Sequence, residues 1–248
     1  MDPKAKIEHL RKDENHERVD VTTANGDLVT LDVDTGTRLP LRVTSMTYNA
    51  NLGDAAIETT FSDYETVNGL KVPTHFVTKI DKYPQFDFRA NRTVIDSNSG
   101  DLAAPAEARG SVPPPAAVTV TAEEVGKGIW WLAGSGNHRS ILFEFDDHLV
   151  LFEAPLNELR TKAVIDTART LRPEKPLTHV IVSHHHFDHS GGLRTYVAQG
   201  ATVVTHEANR DLYQNLFFAP HARTLQPDRL STLYPWFAGK VETAKERA

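Results

Sequence analysis

The chain has no cysteine, only two methionines and three tryptophans, and no excess of positive charge. It also lacks any apolar run of the roughly eighteen residues that a membrane helix needs. Without cysteine there can be no disulfide, no thiolate nucleophile and no cysteine-ligated zinc or iron–sulfur centre, so any metal must rest on nitrogen and oxygen. Lys and Arg number 27 against 33 Asp and Glu, a net charge of -6, which offers no general attraction to phosphate backbones or anionic lipid. Nucleic acid is therefore not an expected partner. Residues 1–6 carry no apolar signal segment, so a chain whose natural start is Met1 reads as cytoplasmic. What is present is average for a globular protein: 40% hydrophobic and 24% charged residues over 248 positions, enough for one large α/β domain or two modest ones.

From residue 16 to about 96 the sequence alternates extended runs with turn residues, the pattern of an antiparallel meander. Residues 18–23 and 28–34 face each other across Ala24-Asn25-Gly26-Asp27, where Asn-Gly tolerates the positive φ of a tight hairpin. Runs at 41–48, 55–64, 70–80 and 86–95, rich in Val, Thr, Ile and aromatics, bring the expected total to about six strands. Residues 97–117, with scattered alanines and Pro113-Pro114-Pro115, hold too little apolar surface to fold and read as a linker. The expected division is thus 1–96, 97–117 and 118–248.

Beyond the linker the period changes. Strands are expected at 118–125, 128–132, 140–145 and 149–152, then a helix over 157–171 whose apolar positions Leu159, Ala163, Val164 and Ala168 recur every three or four residues. An apolar strand at 178–183, a short helix at 192–199, a strand at 201–205 and a helix at 207–217 follow. Strand and helix alternating in this way point to an α/β layer with at least two parallel crossovers.

Directly after the strand His179-Val180-Ile181-Val182 stands Ser183-His184-His185-His186-Phe187-Asp188-His189-Ser190-Gly191-Gly192. Open α/β sheets place ligands at the carboxyl ends of their strands, where this cluster falls. His184 and His186 lie two apart, so in an extended segment both imidazoles project from one face and can reach one ion. Asp188 and His189 sit where the chain turns toward a helix and can serve a second position. With 12 histidines in the chain, His-x-His-x-Asp-His arises by chance about once in five hundred such sequences, which weighs against a mere polar loop.

This motif, with Ser190-Gly191-Gly192 after it, resembles the signature of the metallo-β-lactamase-fold hydrolases. Ala133-Gly134-Ser135-Gly136-Asn137-His138-Arg139-Ser140 and Leu149-Val150-Leu151-Phe152-Glu153-Ala154-Pro155 resemble that fold's opening strands, with Glu153 where an aspartate is common. The resemblance covers about 118–248 and implies the first half of an αββα sandwich with one or two zinc ions at its edge. It implies His184 and His186 as ligands of a first ion, and Asp188 and His189 as ligands of a second. Asp188 would also be the catalytic residue that orients the attacking water. The family draws its remaining ligands from later loops, but only His206 and His221 follow here, each read first as a helix-end or loop imidazole. The C-terminal half of the sandwich is therefore expected to be missing, and the exposed apolar sheet face to invite self-association. Residues 34–40 and 63–73 resemble the half-barrel sheet of outer-membrane lipoprotein-sorting proteins, which implies a periplasmic or exported protein if a signal segment precedes Met1.

Other candidates carry less. Trp130-Trp131 reads as core or domain contact, His138 and Arg139 first as surface-loop residues and otherwise as the edge of a site mouth, and Gly134-x-Gly136 is too short for a dinucleotide loop. Ser183 lacks the Gly-x-Ser-x-Gly surround of a serine nucleophile. The leading expectation is a zinc-dependent hydrolase acting on a small molecule, with lactam, lactone, thioester, sulfate ester and phosphodiester all open. The alternatives are a non-catalytic periplasmic protein that captures lipid or another apolar ligand in the meander, and a half-site completed by a second chain.

Overall fold

The structure, a computed structural model, describes residues 4–12, 15–97, 105, 117–134, 136–218, 223–233 and 240–245. Of the 97–117 linker only Ser97, Pro105 and Ala117 are among them, and His221 lies outside the described residues. Contacts divide the chain into two units, Met1–Thr47 with Ala55–Pro113, and Tyr48–Asp54 with Pro114–Ala248.

The first unit is one seven-stranded antiparallel sheet in chain order: β1 Lys6–Lys12, β2 His16–Thr22, β3 Leu28–Asp34, β4 Pro40–Asn49, β5 Gly53–Val67, β6 Leu70–Ile80 and β7 Tyr83–Arg89. The β2–β3 hairpin closes as its sequence predicts, with Gly26 at φ +90° and Thr23 N–H donating to Asp27 O at 2.9 Å. Two expectations are corrected. A seventh strand, β1, precedes the predicted six; its Lys6, Glu8, Arg11 and Lys12 are the charges that an exposed edge strand carries, and they mask the alternation. β7 begins at Tyr83 rather than residue 86, because Asp81 at φ +50° turns the chain tightly enough for Ile80 to face Tyr83.

The two faces of this sheet differ. On one, buried Asp32 accepts from Arg18 Nε at 2.6 Å and Arg42 Nε at 2.7 Å, an ion-pair row across three strands. Burial works to raise the Asp32 pKa, but the hydrogen bonds and charges of the two guanidinium groups outweigh it and hold the carboxyl below its ordinary value. The opposite face carries the cross-strand rows Val19–Leu31–Val43 and Phe61–Phe76–Phe88, with Phe61 and Phe76 ring centroids 5.9 Å apart.

The second unit is a mixed seven-stranded sheet, β8 Thr121–Gly126, β9 Ile129–Ala133, β10 Arg139–Glu144, β11 Leu149–Phe152, β12 Leu177–Ile181, β13 Thr202–His206 and β14 Val241–Ala244, again ordered along the chain. The first four pair antiparallel and the last four parallel, which gives three parallel steps. Its helices are α1 Glu158–Leu171, α2 Phe187–Ser190, α3 Leu193–Ala198, α4 Arg210–Phe218 and α5 Arg229–Leu233. α1 starts where Asn157 Oδ1 accepts from Arg160 N–H at 3.1 Å and stops before Pro173, as its sequence predicts. The helix expected over 207–217 opens instead with a single 3-10 turn, Glu207–Asn209, before α4.

Register explains the core. Trp130, Leu142, Leu151, Val180 and Val203 are cross-strand neighbours, all buried against Val164 and Ile165 of α1 and Tyr196 and Val197 of α3. The alternate row, Trp131, Ile141, Phe152, Ile181 and Val204, is equally apolar but only partly buried, Trp131 being 39% exposed. A sheet with two apolar faces is what parallel strands covered on both sides require. Among the described residues no helix is long and apolar enough to cross a membrane.

Candidate metal centre

The carboxyl ends of β11 and β12 run side by side, so the loops after them meet. Ala154 N–H donates to His189 O at 2.9 Å, Leu156 N–H to Phe187 O at 3.0 Å, and Gly192 N–H to Ala154 O at 2.8 Å. These cross-loop bonds hold the His-rich segment against the end of β11. Glu153 and Leu156 adopt φ of +69° and +72°, a left-handed backbone that side chains of this size rarely occupy, at about 1–3 kcal/mol each. Among the described residues of the second unit, the two non-glycine residues with positive φ both lie in the loop that faces the histidines.

Gly191 and Gly192 matter for space rather than turning. Their φ values are -60° and -94°, which any residue can adopt. A Cβ on Gly191, however, would lie 2.2 Å from Leu156 O, and one on Gly192 would lie 1.9 Å from Thr161 Oγ1. What this pair answers to is a close approach of two loops and α1.

Within this frame three imidazoles pack together. The ring of His184 lies 4.8 Å from that of His186 and 4.1 Å from that of His189, centroid to centroid. Asp188 Oδ2 is 3.6 Å from His189 Nε2. The rings are gathered without their donor atoms converging: among the described residues, no three His, Asp or Glu side chains share a focus fit for a metal ion. Burial first, then the neighbouring His189 and His186, lowers the His184 pKa, which favours a neutral ring with a free lone pair. His185 is an exposed ring that meets His186 alone among these rings, 5.0 Å from it.

Buried groups orient these rings. Glu153, only 8% exposed, places Oε2 2.9 Å from His189 Nδ1 and accepts Ser183 N–H on Oε1 at 3.1 Å. A carboxylate on Nδ1 fixes the tautomer that leaves the Nε2 lone pair facing outward. Ser183 Oγ lies 2.9 Å from His184 Nδ1. Tyr213, whose hydroxyl pKa burial pushes up to about 12, donates to His184 O at 3.1 Å. Arg160 is 1% exposed, has only neutral acceptors among the described residues, and ties the β9–β10 loop down through Ser140 Oγ at 3.0 Å and the carbonyls of Gly134 and His138 at 3.4 Å.

Beside Asp188 and His189 opens a cavity of about 410 Å³ walled by Trp131, His138, Arg139, Ile141 and Phe152. His138 and Arg139 therefore do edge the mouth beside the cluster. Trp130 is core, as expected, while Trp131 faces the cavity. His206 is not in this group; its Nδ1 accepts from Ala208 N–H at 3.1 Å and caps the turn after β13. Asn51, Tyr213 and Arg160 carry no local sequence signal of a role at this site. Asn51 lay in a plain turn signal, and its partner His185 is 134 positions away, so no local pattern marks it.

Residues 133–246 match the model of the Metallo-beta-lactamase superfamily. A linear primary-alkylsulfatase from Pseudomonas sp. is 31% identical over 99 residues, 40% of this chain and 14% of that protein. The chain thus spans about one seventh of the length of the curated relative it matches. Among solved structures, the FIM-1 metallo-β-lactamase from Pseudomonas aeruginosa in its mono-zinc form is 23% identical over 41% of this chain and 48% of that one, with a TM-score of 0.36. A metallo-β-lactamase from Hirschia baltica is 22% identical over 39% and 48%, with a TM-score of 0.35. Residues 133–246, with the His-rich segment within them, carry a metallo-β-lactamase superfamily domain.

Proposed function

We propose that the second unit is a zinc-dependent hydrolase centre, with His184 and His186 holding one ion and Asp188 and His189 a second. The observation that carries this reading is the packing of three imidazoles and the Asp188 carboxylate at the carboxyl end of β12, with Glu153 bonded to His189 Nδ1. The donor set, imidazole nitrogen and carboxylate oxygen, suits zinc, and the loop is anchored on several sides, so convergence on an ion requires side-chain rotation rather than refolding. Bound zinc would supply a Lewis acid and a water that ionises near neutral pH.

The chain's own residues do the rest. Asp188 orients the attacking water and accepts its proton. Glu153 keeps His189 in the tautomer that offers Nε2. Trp131, Ile141 and Phe152 offer an apolar wall, and Arg139 a positive charge, to a small substrate in the adjoining cavity. That pairing of an apolar wall with a cation, with the alkylsulfatase likeness, favours an ester of an anionic acid, sulfate esters included, over a neutral amide. The partly exposed row Trp131, Ile141, Phe152, Ile181 and Val204 supports self-association through that sheet face, which sedimentation velocity across a concentration series tests.

The test of the centre is zinc per mole of purified chain, with His184→Ala and His186→Ala beside it. The content is expected to fall by at least half in each variant; equal content overturns the ligand assignment. Hydrolysis of a chromogenic sulfate ester and of a chromogenic β-lactam by the zinc-loaded chain then separates the substrate classes.

A further inference from the structure

The turn between β4 and β5, Tyr48–Asp54, belongs to the second unit although it precedes the superfamily match by some eighty residues of sequence. It is shaped by its own side chains: Asn49 Oδ1 accepts from Asn51 N–H and Leu52 N–H, both at 3.0 Å. That turn presents Asn51, whose Nδ2 donates to His185 O at 2.7 Å. Ser190 Oγ lies 2.9 Å from the same carbonyl, 3.0 Å from His186 O and 3.4 Å from Asn51 Oδ1.

The turn is clamped from behind. Arg223, 5% exposed, reaches Asn51 O at 3.2 Å and Ala50 O at 3.4 Å. Asp54 Oδ2 takes Thr224 N–H and Thr224 Oγ1, both at 2.6 Å. Asp228 then links Arg223, at 3.6 Å, to Arg194 of α3, at 2.5 Å. The amide of Asn51 is therefore a fixed donor aimed at the one peptide carbonyl that separates His184 and His185 from His186.

From this geometry we infer that Asn51 is a positioning residue for the His184–His186 pair, so that a turn outside the superfamily match completes the metal loop. The inference rests on the proposed reading of those histidines as ligands. An imidazole two residues from its partner swings with the peptide between them, and a donor that pins the intervening carbonyl removes that freedom before any ion arrives. Groups that orient ligands typically change metal affinity by about 10- to 100-fold when lost.

Two variants of the full chain test this, Asn51→Ala and Asn51→Asp. The second keeps the size and the acceptor but loses the donor. In the metal-free protein, amide exchange at His189 and Ser190, which donate to His186 O, is expected to quicken at least threefold in both variants, while Val180 and Val182 stay as slow as in the parent. Zinc affinity by chelator competition should weaken about tenfold at an unchanged melting temperature, with an altered cobalt(II) absorption spectrum. Parent-like exchange and affinity in Asn51→Asp overturn the inference even if Asn51→Ala fails to fold. Loss of exchange protection with no zinc bound by the parent, or zinc retained by His184→Ala, instead overturns the hydrolase reading and leaves Asn51 as a clamp on the loop alone.

Discussion

Glu153 accepts a hydrogen bond from His189 Nδ1 at 2.9 Å from a backbone held at φ +69°. The same carboxylate takes Ser183 N–H at 3.1 Å, so one side chain at the end of β11 spans both ends of the His-rich segment that follows β12. Replacing Glu153 with Gln removes the charge and supplies only one acceptor oxygen for two donors. Zinc affinity, measured by chelator competition, should weaken at least tenfold, within the range typical for partners of metal-bound histidine. Glu153→Asp, shorter by one methylene, is expected to keep one of the two bonds and to fall between parent and Gln.

Gly191 and Gly192 provide a second test. Alanine at Gly191 sets a Cβ against backbone oxygen at 2.2 Å, and alanine at Gly192 meets Thr161 Oγ1 at 1.9 Å. Backbone cannot yield, whereas the Thr161 side chain can rotate at the cost of its bond to Gly192 O. Urea melts should show Gly191→Ala losing about 3 kcal/mol or more and Gly192→Ala about 1–3 kcal/mol. Gly200→Ala, with nothing within 4 Å but φ at +90°, should lose only about 1 kcal/mol, through backbone strain.

Arg160 is buried among carbonyls and a hydroxyl, with no carboxylate bonded to it among the described residues. Burial lowers its pKa, yet the guanidinium stays charged throughout the accessible range. Arg160→Lys offers a single ammonium where the fork reaches four acceptors. Thermal melts should show Arg160→Lys destabilised by about 2 kcal/mol and Arg160→Ala by more, since each buried acceptor left unsatisfied costs about 1–3 kcal/mol.

Asp228 makes the fold acid-sensitive in a stated direction. Burial works to raise its pKa, but the hydrogen bond and charge of Arg194, the Ser231 N–H and the charge of Arg223 together lower it. A carboxyl whose folded pKa lies below its unfolded one adds stability above the unfolded value, about 3.9, and loses it as pH falls toward the folded value. Asp228→Asn should therefore destabilise the protein by about 3 kcal/mol at pH 7, because Arg194 and Arg223 lose their buried partner. Plotted against pH below 4, its melting temperature should fall less steeply than that of the parent.

Local chemistry determined much of this protein. Asn25-Gly26, the alternating apolar and polar residues of β2 and β3, the Asn157 cap of α1 and the tandem His184, His186, Asp188 and His189 are each read within a few residues, because turns, alternation, capping and ligand spacing are short-range properties. The edge strand β1 escaped that reading, since its charges answer to solvent rather than to a core. What only the tertiary structure decided is which distant groups meet: Glu153 with His189 across 36 positions, Tyr213 with the His184 carbonyl, and Asn51 with the His185 carbonyl across 134. The same holds for the glycines, whose lack of a side chain is demanded by a neighbouring loop rather than by their own φ. Such partners are chosen when parallel strands align and bring the loops at their carboxyl ends together, and no window of sequence contains both members of the pair.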